Sequence, residues 1–188
     1  MKNGMINLGQ KETITYAKLT KDNFSMYSLD EFIRHQEVKE CWRKIHDEYV
    51  LVENVFTEDW DLEACRQTAK TILCGMDADG VAYGAFFENK VVGYIFLAGH
   101  LFGSRQQYLE VQLFHVSEPF RGKGIGRALF ERICSEAKTL GAKKLYISAH
   151  SSKESQEAYR KLGCVYAAEV NREIALKEPF DIQMEYLL

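Results

Sequence analysis

Apolar and polar positions change their period several times along this chain, and each change marks an element. At 13 to 19, TITYAKL alternates with the two-residue period of a strand. Ser28 and Glu31 form a capping-box pattern that Phe32, Cys41, Trp42 and Ile45 continue, so a helix is expected there, broken or bent before Val50. Leu62, Cys65, Ala69, Ile72 and Leu73 recur at helical spacing ahead of Gly75, which predicts a second helix over 58 to 75. DADG then turns the chain. VAYGAFFE and VVGYIFLA read as two strands of an antiparallel hairpin with Asn89-Lys90 at its tip, and QYLEVQLFHV as a third.

The second half alternates helix and strand. RALFERICSEAKTLG places Ala128, Leu129, Ile133, Ala137 and Leu140 on one face and stops at Gly141, and KKLYISAH is a compact strand. Ser151 with Glu154 opens a short helix, SSKESQEAYRKL, that ends at Gly163. CVYAAEV and DIQMEYLL read as closing strands around an EPFD loop. The class is therefore mixed α/β: one sheet, antiparallel at its hairpin and parallel around a crossover helix.

Composition narrows what such a domain can do. With 188 residues, 46% of them hydrophobic, the chain fits one ordinary domain. A net charge of −3 gives no overall basic field, which argues against nucleic acid while leaving room for a local anion site. Cys41, Cys65, Cys74, Cys134 and Cys164 are odd in number and scattered, as expected of a reduced, cytoplasmic chain. The longest apolar run, VVGYIFLAG at 91 to 99, is too short to span a bilayer, so no membrane role is expected.

The densest chemistry lies at 120 to 133, FRGKGIGRALFERI. Alternate glycines run into a helix start, where bare backbone amides and the positive end of the helix dipole favour an anion, most simply a phosphate. A Walker-type loop needs a hydroxyl after its lysine to ligate magnesium, and Lys123 is followed by Gly124. A dinucleotide loop needs a third small residue, and counting from Gly122 or from Gly124 puts Arg127 or Leu129 there. Neither fits, and no metal is called for.

RGKGIG, preceded by LEVQLFHV, resembles the coenzyme A loop of the GNAT N-acetyltransferase superfamily: Arg or Gln, two residues, Gly, one residue, Gly or Ala, filled here by Arg121, Gly124 and Gly126. The likeness continues through KLYISAH to YRKLGC, which resembles the family's closing tyrosine-to-glycine signature. It covers roughly 80 to 188 well, implying an acetyl-CoA-binding core at 81 to 188, with residues 1 to 80 contributing a strand and helices that shape the acceptor site. The implied fold is a mixed sheet splayed open at the cosubstrate.

For such a fold the resemblance assigns roles residue by residue. Amides from Arg121 through Gly122, Lys123, Gly124, Ile125, Gly126 and Arg127 would cradle the pyrophosphate, with Arg121, Lys123 or Arg127 adding charge. Phe114, His115 and Val116 would bond the pantetheine arm through their backbone, and the Val116 amide is the usual oxyanion donor. Transfer from a thioester also needs a neutral amine and a proton for the thiolate. Tyr159 matches the family's acid; Glu110 resembles a strand glutamate used as base, with His115 and His150 as alternatives. The sequence departs from the pattern at Ser152, where relatives carry Asn against the pantetheine, at Ser155 in place of Ala, and at Cys164 in place of an aromatic. Cys164 is not expected to act as a nucleophile.

Acidic and aromatic residues crowd 42 to 61 and 171 to 181, the expected walls of the acceptor pocket. They suit a small cationic amine first, with a protein N-terminus or lysine second. A module that binds acyl-CoA without turnover and a homodimer both stay open.

Overall fold

The Glu88–Asn89 turn, both residues at positive φ (49° and 64°), folds the two most apolar runs into the hairpin β4 (Val81–Phe87) and β5 (Lys90–Leu97). In this computed structural model, which describes residues 13–188, that hairpin supplies the second and third strands of a seven-stranded sheet. Its order is β1 (Thr15–Lys18), β4, β5, β6 (Tyr108–Val116), β7 (Lys144–Ala149), β9 (Ile182–Leu187) and β8 (Val165–Tyr166). Neighbours are antiparallel except β6 and β7, which α2 (Ile125–Thr139) connects as a crossover. α2 buries Leu129 and Ile133 on one face of the sheet with Ile95, Leu97, Leu145 and Ile147. On the other face α1 (Leu62–Asp77) and the preceding turns bury Leu29, Phe32, Cys65 and Ile72 against Tyr94 and Phe96.

The parallel ladder is short. Tyr108 pairs with Lys144, Leu109 with Leu145 and Glu110 with Tyr146; there it ends. Beyond Glu110, β6 stays with β5 and β7 stays with β9, so the sheet opens into a V. The register between β5 and β6 shifts at the same place, from Leu97–Val111 to Phe96–Leu113, which makes Gln112 a bulge that turns β6 aside. The bulge also breaks the two-residue alternation along QYLEVQLFHV, so Glu110 and Phe114 do not share a face. Phe114 pairs with Ile95 on the α2 face, whereas Glu110 lies beside Tyr146 on the opposite one.

The expected helix from Ser28 to Ile45 is instead a series of turns followed by β2 (His35–Ile45), which pairs with β3 (Glu48–Asp59) through a His46–Asp47 turn at positive φ. Val38 and Cys41 are both fully buried, and their spacing of three reads as helical. They lie on a ribbon whose register shifts between Val38 and Glu40, which displaces the two-residue period. The stretch expected to form an N-terminal helix is therefore this ribbon. Its edge joins the start of α3 (Lys153–Leu162), where the Trp42 amide donates to the Ser151 carbonyl at 2.8 Å.

Smaller differences follow from capping. α1 begins later than expected because the Asp61 carboxylate caps it, accepting from the Ala64 amide at 2.8 Å. Ser152, rather than Ser151, caps α3. Asn171 accepts from the amides of Glu173 and Ile174, and so starts a short helix, α4 (Arg172–Lys177), between CVYAAEV and the EPFD loop. Only Val165–Tyr166 of CVYAAEV is strand.

Candidate active site

Gly122 and Gly124 have φ of 74° and 81°, a left-handed backbone that side chains strain, and a Cβ at either position would face open space. Gly124 is the N-cap of α2, and no side chain caps that end. Amides that a serine or aspartate would ordinarily occupy are thus left for an outside anion. Gly126 has an ordinary backbone; a Cβ there would meet the Phe114 ring at 3.4 Å, so this glycine sets the helix close to β6.

Arg121 fastens the loop to the strands. Its Nε donates to the Val116 carbonyl at 3.0 Å and its Nη1 to the His35 carbonyl at 2.6 Å. Arg127 donates to the Lys161 carbonyl at 3.0 Å, and the Lys123 ammonium lies 5.1 Å from the centre of the Phe120 ring. Lys123 and Arg127 are exposed beside the loop, where their charge adds to the positive end of α2.

The inner edge of β6 has its own pattern. The Ser117 amide donates to the Val92 carbonyl at 2.9 Å, so Gly93 and Val116 form a non-hydrogen-bonded pair. By the alternation of antiparallel strands, the amides of Phe114 and Val116 face away from β5, into the V, while the backbone of His115 is turned to Tyr94. With the Val116 carbonyl taken by Arg121, the groups left facing the gap are the Val116 amide and the Phe114 amide and carbonyl. An extended chain bearing its own amides can pair there as an added strand.

On the α2 side of the gap, the half-buried Tyr159 of α3 meets Phe114 edge-on, with ring centroids 6.2 Å apart. Burial raises its phenol well above the usual range, so the group carries its proton at neutral pH. Ser152 is fully buried: its hydroxyl accepts from the Ser155 amide and from Gln36 Nε2, and donates to Ser155 Oγ at 2.9 Å. That leaves the half-buried Ser155 hydroxyl with a proton to donate. Cys164 is buried, and burial together with neighbouring Cys134 pushes its thiol up to about 12, which makes it a poor nucleophile.

The opposite face is acidic. Burial raises the Glu110 carboxyl above the ordinary glutamate value, and Gln112 Nε2, donating at 3.1 Å, opposes that only in part. Glu58 of β3 accepts from Arg34 Nη2 at 2.7 Å and stands 3.4 Å from His150 Nε2 at the end of β7. His150 Nδ1 accepts the Ser152 amide at 3.2 Å, so the proton of the neutral ring sits on Nε2, toward Glu58. That tautomer has no lone pair free to take a proton from an amine. His115 lies between Trp60 and Tyr94, at centroid distances of 4.9 and 5.6 Å. Burial, with Arg34 and Arg121 adding to it, depresses its imidazole to about 3. Both histidines are therefore weak alternatives to Glu110 as a base.

Residues 35–164 match the family model described as the acetyltransferase (GNAT) family. The chain belongs to that family. No curated protein matches the sequence. Among solved structures, nourseothricin acetyltransferase shares 16% identity at a TM-score of 0.67, over 93% of this chain and 98% of that one. A putative streptothricin acetyltransferase from Bacillus anthracis str. Ames, in complex with acetyl coenzyme A, shares 16% at 0.65, over 94% and 98%. At these identities the likeness is one of fold, and it runs the length of both chains.

In this GNAT acetyltransferase, the residues that sequence reasoning missed are Arg34, Glu58 and Asp181. Glu58 and Asp181 fall inside the acidic stretches already marked as walls, but neither spacing nor motif singles them out. Arg34 gave no signal. It is nine-tenths buried, its Nε and Nη1 have no partner among the described residues, and its guanidinium lies 5.9 Å from the centre of the Trp60 ring.

Proposed function

We propose that this acetyltransferase moves the acetyl group of acetyl-CoA directly to a primary amine of a small cationic molecule. The observation that carries the reading is the division of the V by the sheet: the phosphate-ready loop and the phenol of Tyr159 lie on the α2 side, and the carboxylates Glu110, Glu58 and Asp181 on the other. The pyrophosphate binds at the bare amides of α2, and the pantetheine arm runs along Phe114 and Val116.

The thioester then sits where β6 and β7 part. A cationic amine entering from the acidic face gives up a proton to Glu110, directly or through one water, and its lone pair attacks the thioester carbon. The Val116 amide bonds the oxygen as it gains charge. When the tetrahedral intermediate collapses, the carbon–sulfur bond breaks, Tyr159 protonates the leaving thiolate, and the second proton shed by the nitrogen passes through water to restore the phenol.

A small acceptor is favoured by the walls. The Arg43 guanidinium of β2 rests 4.8 Å from the centre of the Phe180 ring, just before β9, and Arg43 Nη1 donates to Ser151 Oγ at 2.7 Å. The ribbon and the α4–β9 connection therefore meet beside His150 and narrow that side. The structures named for nourseothricin and streptothricin agree in fold; the substrate reading rests on this chain's own residues.

The test is release of free thiol from acetyl-CoA across a panel of small amines and a panel of peptides with free N-termini or lysines. Faster release with small amines is expected. Faster release with peptides would favour a protein substrate, and binding without release for any acceptor would favour a non-catalytic acyl-CoA module.

A further inference from the structure

At the far end of the acidic face, Ser148 and Gln183 are paired across β7 and β9 and so share the side of the sheet that carries Tyr146 and Glu110. Ser148 Oγ lies 3.2 Å from Asp181 Oδ2 and 2.9 Å from Gln183 Nε2. The direction of this chain is fixed. An ionised carboxylate only accepts, so the single hydroxyl proton goes to Asp181, and the hydroxyl takes its own bond from the glutamine N–H. The glutamine carbonyl, Gln183 Oε1, is left without a donor on a side chain more than nine-tenths buried.

Asp181 is equally under-supplied. Among the described residues no lysine or arginine forms an ion pair with it; the titratable groups beside it are Glu58, Glu178, His150 and Tyr159, and burial raises its carboxyl above the ordinary aspartate value. The His150 Nε2 proton is turned toward Glu58. Glu58 is already supplied by Arg34, but a half-buried carboxylate with one hydroxyl donor, next to a buried carbonyl without a donor and the further carboxylate of Glu178, is a surface with more acceptors than donors. Water would supply hydrogens but no charge. An ammonium group supplies three N–H donors and the missing positive charge together.

We infer that the acceptor carries a second ammonium group, held by Asp181, Gln183 and Ser148, so that the substrate is a diamine or a longer polybasic amine acetylated at the end nearer Glu110. This rests on the reading that the amine approaches on the Glu110 face. His150 is level with Asp181 and Tyr146 with Glu110, so the two carboxylates lie on Cα atoms about 16 Å apart by strand geometry. That separation suits amines at the two ends of an extended chain rather than on adjacent carbons. Asp181 and Glu110 therefore have separate tasks, one holding the substrate and the other activating it.

Calorimetric titration of cadaverine and of pentylamine into the protein saturated with coenzyme A tests this without requiring turnover. Cadaverine should bind at least about tenfold more tightly, the effect of a charge-assisted contact, and Asp181→Asn should bring the ratio close to one. Gln183→Met, which deletes the orphan carbonyl, should lower the ratio independently and gives the same readout if the aspartate variant does not fold. Equal binding of the two amines by the wild type, or a ratio that survives both substitutions, overturns the inference. Thiol release judges the parent reading separately: transfer without diamine preference leaves acetylation standing and removes the subsite, and an Asp181-dependent preference without transfer does the reverse.

Discussion

Glu110 and Tyr146 are the last pair of the parallel ladder, so the carboxylate of Glu110 stands at the point where the sheet divides. A strand residue at that position is fixed by hydrogen bonds on one side and faces an opening on the other. Few other positions place a carboxylate next to a substrate that has entered between two strands.

The first prediction concerns that carboxylate. Glu110→Gln should lower kcat by about a hundredfold, at the low end for a general base, and remove the acid limb of the pH–rate profile. Because burial raises the folded-state value of Glu110, the ionised form is costly in the native state. The stabilisation from a raised carboxyl is present below its unfolded value and is lost as pH rises through the folded one. Glu110→Gln should therefore melt higher than wild type at neutral pH, with the gap closing in acid. A lower melting temperature at neutral pH would show that the charge is compensated in the folded protein.

Tyr159→Phe keeps the ring against Phe114 and removes the proton. Turnover should fall by about tenfold, since coenzyme A is a fair leaving group, with melting temperature and coenzyme A affinity little changed. Near wild-type turnover in Tyr159→Phe, with damage only in Tyr159→Ala, would make the residue a packing aromatic.

The parts legible in the sequence are those encoded locally. Gly124 and Gly126, the helix behind them and the Gly163 stop each state their structure within a few residues, and the resemblance carried by RGKGIG and YRKLGC extended them to a fold. The ribbon of β2 and β3 was not legible because a register shift between Val38 and Glu40 disturbs the two-residue period, and Cys41, Trp42 and Ile45 then imitate a helix. The acidic face was only half legible. Glu110 came from the motif strand, but Glu58, His150 and Asp181 meet through pairings between segments roughly thirty to ninety residues apart, which no local pattern records.

Gly124→Val tests the loop. At a φ of 81° a branched side chain strains the backbone, and it also enters the space left open for the pyrophosphate. Coenzyme A affinity should fall by at least about tenfold while the fold persists. Unchanged affinity in a folded Gly124→Val protein would reduce the loop to a turn.

His115 predicts a stability effect in acid. Its folded value near 3 lies below the ordinary 6.5, so the unfolded chain takes up a proton that the native state refuses, and stability falls as pH drops below 6.5 toward 3. His115→Phe keeps an aromatic ring between Trp60 and Tyr94 and should flatten that decline, read from urea midpoints between neutral pH and about pH 4. An equally steep decline in the variant would place the acid sensitivity elsewhere.

Direct transfer across the divided sheet is tested most simply by intact-mass measurement. The protein is held with acetyl-CoA alone and then given a reactive small amine. The account predicts an unmodified protein mass throughout, no thiol release beyond slow hydrolysis before the amine is added, and afterwards one acetylated amine for each thiol released. An acetyl group appearing on the protein before the amine, on Cys164 or any other side chain, and passing from there to the amine would contradict it.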